Sequence, residues 1–273
     1  MPDSPHPRLP GLPRRGFLAL GAATAAVAAL PTAAFASPAT IDRAAGPVAD
    51  RVLALSAGRW VLADTAGATT PTTGLDGADV VGVARGADGF TAVGSRDGKA
   101  VIWASADGVA WTAAQRRNDP HAAFTAVGAG AGRVLVLGSL LSEEGTPVRA
   151  VAALRTAGGA WQTLPVRGLG DDLAITAVTG DSSGWTAAAV GIEETTVYHS
   201  PDAITWTEGT RVTATAVREL TGTAWTGNAL DDAAPVRGVL GGGREVVTSV
   251  PRDAQAIGGG FWLSGGTIVR GTR

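Results

Sequence analysis

The chain has 273 residues, 45% of them hydrophobic, and its 22 basic and 24 acidic side chains leave a formal charge of −2. Such a balance argues against a nucleic-acid binder, which carries a basic excess. Cysteine is absent, and this excludes disulfides, thiol nucleophiles, zinc–cysteine sites and a lipidated cysteine anchor.

In chain order the first feature is Arg14-Arg15-Gly16-Phe17-Leu18, which opens an apolar run from Phe17 to Leu30. As helix those 14 residues would cover about 21 Å, short of a roughly 30 Å hydrocarbon core, so they make a poor membrane anchor. Pro31 follows, and Ala34-Phe35-Ala36 offers the small residues that a signal peptidase reads. The pattern resembles a twin-arginine export signal. The resemblance implies cleavage after Ala36 and delivery of a folded protein to the periplasm, the cell envelope or the medium. Residues 1–36 are therefore expected to be a signal peptide, residues 37–48 a flexible leader and residues 49–273 a single domain. Losing Arg8, Arg14, Arg15 and Asp3 with the signal would move the net charge from −2 to −4. No later stretch is apolar for long enough to span a membrane, so no membrane contact is expected after cleavage.

The remainder is punctuated by Gly-rich turns and repeats an apolar beat. Val81-Gly82-Val83, Thr125-Ala126-Val127, Thr176-Ala177-Val178, Thr215-Ala216-Val217 and Gln255-Ala256-Ile257 end at intervals of 44, 51, 39 and 40 residues. Each leads through a turn into a second strand, such as Phe90 to Gly94 or Val134 to Gly138. Third strands follow, such as Ala100 to Ser105, and fourth strands begin at Trp111, Trp161 and Trp206. Short strands at a period near 40 predict an all-β fold, a β-propeller of five four-stranded blades. The piece from Arg51 to Thr65 echoes Val239 to Val247 and is expected to supply the outer strand of the last blade. That closure would remove a free sheet edge.

One heptapeptide recurs within this beat. Ser105-Ala106-Asp107-Gly108-Val109-Ala110-Trp111 returns as Ser200-Pro201-Asp202-Ala203-Ile204-Thr205-Trp206, and a worn copy runs from Arg155 to Trp161. The form Ser-x-Asp-Gly-x-x-Trp resembles the Asp-box (BNR, sialidase-like) propeller repeat. The resemblance places the box in the hairpin between third and fourth strands, as a structural device. Ser105, Asp107, Gly108 and Trp111, with Ser200, Asp202 and Trp206, are its matching positions. Asp is expected to accept backbone N–H bonds, Gly to tolerate positive φ, and Trp to fill space between sheets.

Catalytic signatures are thin beside these structural ones. A sialidase needs an arginine cluster, a Tyr–Glu nucleophile pair and an acid/base Asp. Tyr198, the one tyrosine, falls on a third strand, far from a propeller's axis. His121 and His199 have no Gly-x-Ser-x-Gly elbow and no metal-ligand spacing. No catalytic residue, metal or cofactor is therefore assigned. In a propeller the second-to-third-strand turns share a face with the blade connections, and both carry charge here. Arg117, His121, Arg167, Asp172, Arg211 and Arg252 are the expected centre of a binding site on that loop face, because successive connections converge around the axis. The function this supports is an exported, monomeric, non-enzymatic propeller binding a glycan or a cell-envelope protein. The alternative is a glycoside hydrolase using carboxylates at the channel mouth, among Asp79, Asp172 and Asp253. Replacing Arg14 and Arg15 together by Lys is expected to block export. In the unaltered protein, mass spectrometry of the exported form should find Ser37 at the N-terminus.

Overall fold

Val52-Leu53-Ala54 and Val101-Ile102-Trp103 are apolar at every position, so neither stretch can leave one strand face in water. The computed structural model, which describes residues 39–271 except 120, 171–172, 192, 214 and 231–232, places these stretches inside a β-propeller. Six antiparallel sheets are formed by the described residues. The first comprises Arg43–Val48, Arg51–Ser56, Arg59–Ala63 and Thr69–Pro71 (β1–β4). The second comprises Ala78–Gly86, Gly89–Arg96, Lys99–Ser105 and Thr112–Arg116 (β5–β8). Ala122–Gly130, Arg133–Leu141, Pro147–Thr156 and Gln162–Leu164 (β9–β12) make the third. Ala174–Gly180, Trp185–Val190, Glu194–Ser200 and Thr207–Thr213 (β13–β16) make the fourth. Thr215–Thr221, Ala224–Ala229, Pro235–Val239 and Arg244–Val246 (β17–β20) make the fifth, and Gln255–Gly258, Phe261–Ser264 and Thr267–Arg270 (β21–β23) the sixth. The first strand of each sheet touches the first strand of the next, and β21 returns to β1, so six innermost strands close a ring.

The fold is thus a propeller of six blades, and the expectation of five is corrected. Residues 51–63 do not complete the last blade; they are β2 and β3 of a blade of their own. Its innermost strand, Arg43–Val48, holds Gly46 and Pro47 and lies within the segment expected to be a leader. Its outer strand has only three residues, Thr69–Pro71. Among the described residues the last blade has three strands, and Ile41 N–H of the first blade's approach donates to the Gly266 carbonyl at 2.8 Å.

Side-chain alternation sends each strand's two faces to different neighbours. Leu53 of β2 packs toward the second blade with Val101 and Trp103, whereas Val52 and Ala54 pack toward the sixth with Phe261 and Ile268. On β7, Ala100 and Ile102 face the third blade. Ala187 and Ala189 of β14 face the third blade, and Ala188 faces the fifth. The core is a set of six layers, one for each junction between blades. Trp103, Trp111, Trp185, Trp206, Trp225 and Trp262 are buried, while Trp161 of the worn copy is only partly so.

Every innermost strand also carries one extra residue. The pairing register with the second strand slips at Ala45, Val81, Thr125, Thr176, Arg218 and Ile257, a bulge two or three residues from the start of each strand. A bulge bends the strand and turns its side chain out of the ladder. The bend drives a carbonyl into the second strand: a Cβ on Gly138 would stand 1.9 Å from the Ala123 oxygen, and one on Gly227 2.2 Å from the Ala216 oxygen. Gly138→Ala is therefore expected to destabilise the protein by about 1–3 kcal/mol or more, read from the urea midpoint at constant m-value.

Candidate functional site

The recurring heptapeptides form two closely similar hairpins. Asp107 Oδ1 accepts from Val109 N at 2.8 Å, Ala110 N at 3.0 Å and Ser105 Oγ at 3.1 Å. Ser105 Oγ accepts in turn from Gly108 N, and Trp111 Nε1 donates to the Gly108 carbonyl, both at 2.8 Å. Asp202 Oδ1 repeats the pattern with Ile204 N and Thr205 N at 2.8 Å and Ser200 Oγ at 3.0 Å. The glycine position has φ +79° at Gly108 and +66° at Ala203. Only the first demands glycine for space as well, since a Cβ there would meet Val48 Cγ1 at 2.3 Å. Each hairpin receives the segment leaving the blade before it. Thr73 bridges Ala110 in parallel, and Arg167 bridges Thr205. The worn copy makes a different link, with Gly158 N donating to Asp88 Oδ2 of the second blade at 2.7 Å.

The six residues expected on the loop face are placed as follows. Arg117 follows β8, forks onto Asp119 Oδ2, and lines a cleft of about 350 Å³ with Arg149, Thr163 and Pro165. His121 is exposed, and its carbonyl accepts from Leu141 N at 2.8 Å. Arg167 is exposed and held by its backbone to the Asp202 hairpin, through Ile204 and Trp206. Asp172 lies outside the described residues. Arg211 stands on the outermost strand β16, where Glu208 and then Glu194 raise its pKa, at 2.6 and 2.8 Å. Arg252 is exposed in the connection to β21. The acids nearby are similarly engaged. Asp97 takes Arg116 at 3.2 Å, Asp79 pairs with Arg43 across the first two blades, and Asp253 accepts from Ser264 Oγ at 2.9 Å. Tyr198 is packed into the layer between third and fourth blades, where burial pushes its phenol above the ordinary range.

A residue not anticipated from sequence stands nearer the axis. Arg218 is the bulged residue of β17, an innermost strand flanked by β13 and β21. Its side chain is exposed to solvent, yet surrounding protein desolvates the guanidinium enough to lower its pKa. Among the described residues no carboxylate pairs with it. Adjacent Glu219 is committed to Gly259 N at 2.7 Å and Thr226 Oγ1 at 3.0 Å. At the same level Thr176 Oγ1 donates to the Val217 carbonyl at 2.6 Å, tying the neighbouring strand to the arginine's backbone. Arg218 escaped the repeat alignment because Thr215-Ala216-Val217 was set against the triplets that begin at a bulge. The bulge here comes three residues later than Thr215, at Arg218.

No protein-family profile matches the chain, and no curated protein sequence does. Among solved structures it is similar to PorZ, a surface component of the type-IX secretion system of Porphyromonas gingivalis, at 15% identity and TM-score 0.43. The match covers 76% of this chain and 26% of that one, so the chain spans about a quarter of PorZ. A catalytically inactive virginiamycin B lyase from Staphylococcus aureus, solved with quinupristin, is similar at 12% identity and TM-score 0.48, covering 86% and 95%. A β-fructofuranosidase of Bombyx mori is similar at 11% identity and TM-score 0.40, covering 66% and 52%.

The two hairpin carboxylates set an acid dependence. Backbone donors, Val109 first for Asp107 and Thr205 first for Asp202, hold both pKa values below the ordinary carboxylate value. A depressed folded pKa adds stability above the unfolded value of about 3.9, and that stability is lost as pH falls through the folded value. Thermal unfolding of the Asp107→Asn, Asp202→Asn double variant should therefore depend less on pH below about 4 than the unaltered protein.

Proposed function

We propose that this is an exported Asp-box propeller, monomeric and non-enzymatic, which binds a glycan or a cell-envelope protein through its loop face. The observation that carries the reading is Arg218. It lies three residues inside β17, about 10 Å below the loop face, as a cation without a carboxylate partner among the described residues. An acidic group entering the channel mouth, a uronate or an acidic side chain, would meet a guanidinium already stripped of part of its water. Such charge-assisted bonds are worth about 1.5–3 kcal/mol. The state of the acids supports binding over hydrolysis. Asp79 is held by Arg43, Asp253 by Ser264, and Tyr198 belongs to the core.

Affinity for acidic oligosaccharides, compared with neutral ones of equal length, tests the proposal. Arg218→Ala should weaken acidic binding about 10- to 100-fold and leave neutral binding unchanged. Equal affinities in the variant, or aryl-glycoside turnover that Asp79→Asn abolishes, would overturn it.

A further inference from the structure

The opposite face of the propeller holds a second cationic feature, independent of Arg218. The turns after β5 and β9 lie on the side of the Ser-x-Asp hairpins, since a Cβ on Gly89 would touch the Ser105 carbonyl at 2.4 Å. Between those two turns is a cleft of about 250 Å³ lined by Arg85, Gly86, Ala87, Gly130, Gly132 and Arg133. Both guanidinium groups are stacked on aromatic rings. Arg85 lies 5.7 Å from the Phe90 centroid, and Arg133 5.4 Å from that of Trp185 in the next blade. Stacking fixes the plane of an arginine and leaves its N–H edges free to donate.

Three other stacked arginines of this protein use those edges internally. Arg43, over Trp60, pairs with Asp79. Arg155, over Trp161, pairs with Asp88 at 3.5 Å. Arg96, over Trp103, donates to the Gly74 carbonyl at 2.6 Å. Arg85 and Arg133 differ: among the described residues neither guanidinium has a hydrogen-bond or ion-pair partner, which is true also of Arg270 over Phe261, but only these two line one cleft. The carboxylate next to the cleft, Asp88, is taken by Arg155 and Gly158. The glycines are fixed by packing: a Cβ on Gly130 would stand 2.1 Å from Gly180 of the next blade, and one on Gly86 2.6 Å from Val134. The wall between the arginines is therefore backbone, open to a ligand.

We propose that Arg85 and Arg133 form an anion site for a tetrahedral oxyanion, a phosphate or sulfate group. Two forks meeting at one cleft suit a group with three or four oxygens, whereas a carboxylate is satisfied by one. The group is either free in solution or an ester on a saccharide, and the two sources are separable.

Calorimetric titration of the full protein with inorganic phosphate, inorganic sulfate and a sulfated disaccharide tests the site. Arg85→Gln and Arg133→Gln should each weaken binding about tenfold, and the double variant should abolish it. Inorganic ions binding as tightly as the disaccharide identify a free-ion site; a disaccharide preferred at least tenfold identifies the ester. Arg85→Lys with Arg133→Lys retains charge and loses the forks, and it too should bind at least tenfold more weakly with an unchanged melting temperature. Arg218→Ala should leave this binding intact, which separates the underside site from the loop face. Unchanged affinity in the double Gln variant, or no heat from any of the three probes at about 10 mM, would overturn the proposal.

Discussion

Everything in this architecture depends on covering both faces of every blade. A sheet in a two-layer fold hides one face and solvates the other, but strands such as Val101-Ile102-Trp103 are apolar on both. The ring satisfies them, because each blade has a neighbour on either side and the last returns to the first. No blade can be stable alone, as in other repeat architectures. The ring closes where a three-stranded sixth blade meets the first. There Phe261 and Ile268 pack against Val52 and Ala54, and Ile41 N–H donates to the Gly266 carbonyl.

The same closure creates the channel and decides what stands in it. Six bulges interrupt the innermost strands at matching positions; Ala45 and Ile257 pack into the layers between blades, and Val81, Thr125 and Thr176 are also uncharged. The fifth blade alone presents a charge there. An arginine at one position of an otherwise uncharged ring does little for packing, and its desolvation is unfavourable unless something offsets it. The bulge is also what permits Gly138 and Gly227 to face a carbonyl so closely, so the feature that aims the axial residues is fixed by the second strands.

The parts of this organisation legible in the sequence were those written in side-chain identity. Ser105, Asp107 and Trp111 specify their hairpin by side-chain hydrogen bonds that apolar residues cannot make, and the pattern survives at Ser200, Asp202 and Trp206 even with Ala203 in place of glycine. The blade count was not legible for a physical reason. Strands buried on both faces lose polar–apolar alternation, and Arg43-Ala44-Ala45-Gly46-Pro47-Val48 carries turn residues inside a strand. Residues 52–62 resemble 239–247 because each stretch forms a hairpin around a Gly-containing turn, one in the first blade and one in the fifth, and not because they close a single blade. Placement of Arg211 failed similarly: its acids, Glu194 and Glu208, are its strand neighbours on β15 and β16, and a linear reading could not separate strand from connection. Arg218 was hidden because a bulge adds a residue without changing the residue types around it.

Net charge says little about either cationic site. The chain is mildly acidic, which gives no long-range attraction for anions, and a Debye length of about 8 Å would screen such a field anyway. What Arg218, Arg85 and Arg133 combine is an unpaired guanidinium, among the described residues, with a fixed setting: an innermost strand for the first and an aromatic ring at a shared cleft for the other two. Arg43, Arg116, Arg117, Arg155 and Arg211 are each matched to a carboxylate. Exposed pairs of this kind contribute about 0–1 kcal/mol and leave no unspent hydrogen-bonding capacity. An arginine fixed by a ring or set on an innermost strand, with no partner among the described residues, keeps its donors for something else. Selectivity for an anion on a negatively charged protein has to arise in this way, from a few donors held in place at short range.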